Sequence, residues 1–103
     1  MNLDRPVYFI STLRPRRPDF LATMTPAEKA VMGEHMAYTR RFFDEGKILL
    51  GGAATDGAIG LIVWKLASAE EAREIFDHDP AVMAGIGEAE LHEFRLGLFA
   101  GRE

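Results

Sequence analysis

The chain has no cysteine, which removes disulfides, thiolate nucleophiles and thiolate metal sites together. Histidine is scarce, with three residues, so any imidazole chemistry falls on His35, His78 or His92. Positive charge is short as well. Against 16 Asp and Glu stand 12 Lys and Arg, a formal net charge of −4, the wrong sign for a surface that tracks phosphates or lies on an anionic membrane. The one basic cluster, Arg14-Pro15-Arg16-Arg17, is too short to reverse that. No apolar run approaches the roughly 20 residues of a membrane span. The first ten residues carry an acid and only a brief apolar stretch, where a secretory leader needs net positive charge and a longer one. Neither nucleic acid nor membrane is expected as a partner, and a cytoplasmic location is expected.

What is present suits one folded domain over residues 1–103, since 48% hydrophobic and 27% charged residues are ordinary globular values. "VYFISTL", residues 7–13, is rich in β-branched and aromatic residues and predicts a strand. "RPRRPDFLATM" follows with two prolines, Pro15 and Pro18, and predicts a loop. Thr25, Pro26 and Glu28 then form a capping box with proline at the first helical position, and Gly46 supplies a stop, which predicts a helix to about residue 45. Residues 47–54 and 58–66 predict two further strands joined near Asp56-Gly57, a hairpin-turn signal. Ser68 and Glu71 make a second capping box, opening a helix that turns Ala72, Ile75 and Phe76 inward. A last strand is expected over about 89–99.

The order β-α-β-β-α-β is that of the ferredoxin-like split βαβ, an α+β fold with four antiparallel strands and two helices on one face. Its sheet should then show one wet face, yet both parities of 58–66 are apolar: Ile59, Leu61 and Val63 on one, Ile62, Trp64 and Leu66 on the other. Tyr8 and Ile10 likewise oppose Val7 and Phe9. With no spare element to cover the second face, a second copy of the sheet is expected there, giving a face-to-face homodimer.

His35 falls on the inward face of the first helix, within about 60° of Val31 and Tyr38 and about 20° of Phe42 at about 100° per residue. It is either a core histidine satisfied by a carbonyl or one half of an acid–base pair. Asp44, nine residues on, projects from the opposite face. Asp79 is the better partner, because a residue before proline leaves the α region and its carboxylate can turn back toward the neighbouring helix. A carboxylate on one ring nitrogen fixes the tautomer and frees the other nitrogen for proton transfer. Asp77, His78 and Asp79 cannot converge on a metal while the helix persists, since neighbours point about 100° apart, and neither a metal nor a cofactor is expected.

Other candidates for substrate contact are weaker. Gly51 and Gly52 mark either a strand bend or close approach of backbone and ligand. Arg14, with Arg16 and Arg17, is either an anion clamp or part of a solvated loop. His92 lies on one face of the last strand, lining a pocket or the dimer seam. Gly85-Ile86-Gly87 precedes a strand, so it is not a phosphate loop.

"EHMAYTRRFFDEGKILLGG" around His35 and "AREIFDHDPAVMAGI" around Asp79-Pro80, set in this element order, resemble the YciI-like (YCII-related) family from "VYFI" to "LGLF". The resemblance implies a ferredoxin-like dimer with a pocket centred on His35 and Asp79, and chemistry of the dehydrochlorinase or isomerase kind on ring compounds. The Pro/Arg-rich loop at 14–25 is longer than the family's usual connection. Two readings follow: a small cofactor-independent lyase or isomerase using His35 and Asp79, or a non-catalytic dimeric module that binds a small ligand or a partner. Solvent or ligand access to His35 separates them.

Overall fold

Thr25 opens the longest element. Its hydroxyl accepts from the Glu28 amide at 3.1 Å while the Glu28 carboxylate accepts from the Thr25 amide at 2.9 Å, so two of the amides a helix start leaves unpaired are satisfied. The far end closes as a Schellman motif: Lys47 N–H returns to Phe42 and Gly46 N–H to Phe43, with Gly46 at φ +82°. This computed structural model describes residues 6–100. In chain order its elements are β1 (Val7–Pro15), α1 (Phe20–Thr23), α2 (Pro26–Asp44), β2 (Ile48–Ala53), β3 (Gly60–Leu66), α3 (Ala69–Asp77), α4 (Pro80–Met83) and β4 (Gly87–Phe94).

The sheet runs β2-β3-β1-β4, all neighbours antiparallel, the α+β ferredoxin-like arrangement expected. Alternation assigns the faces. Phe9, Trp64 and Leu66 point to the helices and join Phe42, Ile48, Ala72 and Ile75 in the main core. The opposite parity aligns Leu50, Val63, Ile10 and His92 in one row across four strands, with Tyr8 beside Phe94. None of the described helices covers this row.

Four expectations need correction. The segment 14–24 is not simply a loop: β1 continues to Pro15, and α1 buries Phe20 against Ala81 and Ile86 in a second cluster. Asp79-Pro80 does more than stop a helix, because Asp79 caps the one-turn α4, whose Pro80 is pre-set for the first position. The last strand ends at Phe94, where its pairing with β1 ends at Tyr8, so residues 95–99 are not strand. The second capping box also differs in one bond. Ser68 accepts from Glu71 N–H, but the Glu71 carboxylate takes the Ala67 amide. No described helix is long and apolar enough to cross a membrane.

Candidate functional site

His35 stands about two and a half turns into α2, and α4 packs alongside that helix. The pairing places the His35 ring nitrogen Nδ1 at 2.8 and 2.9 Å from the two carboxylate oxygens of Asp79. Asp79 is held by its own backbone environment: Oδ1 also accepts from Ala81 N–H at 2.9 Å. The cap and the imidazole contact therefore share one carboxylate. A carboxylate only accepts, so Nδ1 donates and the neutral ring keeps its acceptor lone pair on Nε2. Among the described residues Nε2 has no hydrogen-bond partner. The side chains keep 18% and 12% of their exposure, enough for His35 to be reached and too little for bulk water to bathe the pair.

His35 lines a cavity of about 590 Å³. On the α2 side the wall is Met32, Met36, Thr39 and Phe43, a stripe at helical spacing next to the core-facing stripe of Tyr38 and Phe42. The floor is the sheet, with Ser11 and Ile62, and α1 supplies Phe20 and Leu21. Gly51 and Gly52 line the β2 side; Gly51, in register with Ile62, has the helix-facing parity, and a Cβ on it would meet the Ile62 side chain at 3.5 Å. Leu21 leans on the turn between β2 and β3, and a Cβ on Gly57 would come within 2.9 Å of it.

The surroundings of the pair are also tied down. Tyr38 donates its hydroxyl to the Ile75 carbonyl at 2.8 Å, and its pKa is pushed up by burial first and by the nearby charge of Asp79 second. Ser11 accepts from the Trp64 indole N–H at 2.8 Å. Sequence reasoning missed Ser11 and the methionine stripe. The signal for the stripe was there, since Met32, Met36 and Phe43 recur on one side of α2 without a partner element to explain them.

Arg14 and His92 do not join this site. Both have the parity of β1 and β4 that faces away from the helices. Arg14 is exposed beside Glu88 and lines a separate depression, while His92 is exposed and pairs with Glu90 at 3.0 Å. The other arginines of the cluster are committed: Arg16 to the Gly85 carbonyl, and Arg17 to Glu28 and Thr23 with its guanidinium over the Phe20 ring. They fasten the α1 segment. His78 is exposed and bound to the Glu74 carbonyl, Asp77 pairs with Arg73, and Asp44 pairs with Arg40 on the outer face of α2.

A model of the YCII-related domain matches residues 9–95. The chain belongs to the YCII-related family. No curated protein matches it. Among solved structures, this YCII-related protein resembles 5-chloro-2-hydroxyhydroquinone dehydrochlorinase (TftG) from Burkholderia phenoliruptrix AC1100, determined in complex with 2,5-dihydroxybenzoquinone. The TM-score is 0.67 at 19% identity, over 87% of this chain and 95% of that one. It also resembles PA3566 from Pseudomonas aeruginosa, with TM-score 0.54 at 11% identity over 94% and 100% of the two chains. Rv0793 from Mycobacterium tuberculosis gives 0.55 at 16% identity over 92% and 98%. At these identities the likeness is one of fold.

Proposed function

We propose that this YCII-related protein is a small cofactor-independent enzyme of the lyase or isomerase type, in which His35 Nε2 moves a proton and Asp79 holds the ring. The observation that supports the reading most is the bond from His35 Nδ1 to a carboxylate that is itself fixed by the α4 cap, on a histidine that lines the cavity and whose second nitrogen has no partner among the described residues. A histidine kept only for packing would spend both nitrogens on the protein or be sealed from ligand.

The apolar lining suits a small ring compound, and the dehydrochlorinase of like fold suggests halogenated hydroxyquinols as the first class to try. In such a step the base takes a proton from the substrate, the released electron pair expels halide, and the net loss is HX. No electron acceptor is needed. Relocation of the proton in place of expulsion would give an isomerase from the same pair.

The apolar row on the outer sheet face supports a homodimer as the working form. The test combines turnover with a substrate-free readout. His35→Ala and Asp79→Asn are each expected to cut halide release from 5-chloro-2-hydroxyhydroquinone by about a hundredfold or more, and ¹⁵N NMR is expected to show neutral His35 as its Nδ1–H tautomer. Full activity in both variants, or an Nε2–H tautomer in the wild type, would sink the assignment.

A further inference from the structure

We infer that Ser11 is a second working group of the cavity, a hydrogen-bond donor to the substrate oxygen on which negative charge gathers when His35 removes a proton. The inference rests on the acid–base reading of His35. It adds a requirement on the substrate, which must carry an ionisable phenolic or enolic oxygen within an otherwise apolar body.

The argument begins with Trp64. An indole N–H can only donate, so at 2.8 Å Ser11 Oγ is the acceptor. That bond fixes one lone pair of the oxygen and leaves the hydroxyl hydrogen unspent, for among the described residues Ser11 donates to no protein atom. Trp64 is 4% exposed and packs edge-on against Phe42, so the indole cannot swing away and the serine oxygen stays oriented. Ser11 has the helix-facing parity of β1 and lines the same cavity as His35. The base comes from α2 above, and the donor from the sheet below.

The other polar side chains of the wall are placed less well for this task. Thr39 gives its hydrogen to the His35 carbonyl at 3.0 Å. Arg40 spends Nε on Asp44 at 2.9 Å and keeps other donors, but its side chain is 72% exposed, so water screens its charge and competes for those donors. Thr12 has the parity of the opposite sheet face, and Asp79 can only accept. Proton abstraction that pushes charge onto an oxygen gains most from a pre-placed donor in a water-poor site, and Ser11 is the side chain left to supply it.

The competing account is that Ser11 serves only to satisfy the Trp64 indole. Trp64→Phe removes that duty, so Ser11→Ala is compared with Ser11 in the Trp64→Phe background as well as in the wild type. The probes are 4-nitrophenol, whose anion has its own visible absorption, and nitrobenzene, which has the ring and no ionisable oxygen. In the Trp64→Phe background Ser11→Ala is expected to weaken binding of the nitrophenolate form by about tenfold or more and to leave nitrobenzene within about twofold. Equal changes for both probes, or none, would overturn the donor role. So would a wild-type protein that takes up nitrobenzene without nitrophenolate, or that takes up neither. The dyad is judged separately, by the His35 tautomer, which needs no ligand: an Nε2–H tautomer together with a Ser11-dependent anion affinity would leave the donor standing and remove the base.

Discussion

Glu28 shows how one side chain is made to serve two elements. Its carboxylate completes the capping box of α2 and receives two bonds from Arg17, at 2.6 and 3.0 Å, which ties the chain ahead of α1 to the helix start. Those contacts, Arg17 first and the Thr25 amide second, lower its pKa from an ordinary 4.5 to about 2. The folded form thus prefers the ionised carboxylate more than the unfolded chain does, so its stabilising contribution is complete above about pH 4.5 and is lost as pH falls toward 2. Chemical denaturation at pH 6, 4 and 2.5 should show wild type losing part of its advantage over Glu28→Gln across that window. Parallel curves for the two proteins would mean that the Arg17 contact contributes nothing to stability. The Thr25–Glu28 box was plain in the sequence. Arg17 was not, because an arginine in a Pro-rich run has no periodicity to say which carboxylate it will meet.

At the level of elements, the first residue of β4 limits how the sheet can close. Gly87 lies opposite Pro15, and a Cβ there would overlap the Arg14 carbonyl oxygen and crowd the Pro15 backbone. The strand can begin this close to β1 only because the residue has no side chain. Gly87→Ala is expected to destabilise the fold by about 1–3 kcal/mol, the usual range for overpacking, whereas Gly33→Ala, with nothing within 4 Å and on an exposed helix face, should be neutral or slightly stabilising. Urea melts of the two variants check this, and equal midpoints would remove the close-approach argument. The same region explains what could be read in advance. Asp79 as a helix-ending residue was legible from Pro80, and its place beside His35 from a topology that sets the two helices side by side on one face. The α4 turn and the shared use of Oδ1 were not, since four residues carry too little pattern to announce a helix. The end of β4 was missed for a related reason: "RLGLF" keeps strand-like composition, but β1 begins at Val7, one residue beyond the last pair Tyr8–Phe94, and so offers almost nothing more to pair with.

The whole molecule has one surface that its own described elements leave open. Leu50, Val63 and Ile10 lie in register across three strands on the face opposite the helices and Tyr8 and Phe94 flank them; Leu50 keeps 47% and Phe94 36% of its exposure, while Val63, between Leu50 and Ile10, is buried at 6%. Two-faced apolar strands were visible in the sequence as runs without alternation, and the topology explains why they need a cover: helices occupy one side only. A second copy suits the face because the row is nearly uniform in chemistry, and a two-fold axis would set it against itself. His92 closes the row, so its place would be at that seam and not in the cavity. Sedimentation equilibrium is expected to give about twice the 11.5 kDa chain mass for wild type at micromolar concentration. Leu50→Lys should shift the mass toward one chain with the far-UV spectrum unchanged, because the residue is half exposed and its side chain leaves the core intact. A wild-type monomer at those concentrations would leave the apolar row to some other partner. A dimer indifferent to lysine at position 50 would place the contact elsewhere on the molecule.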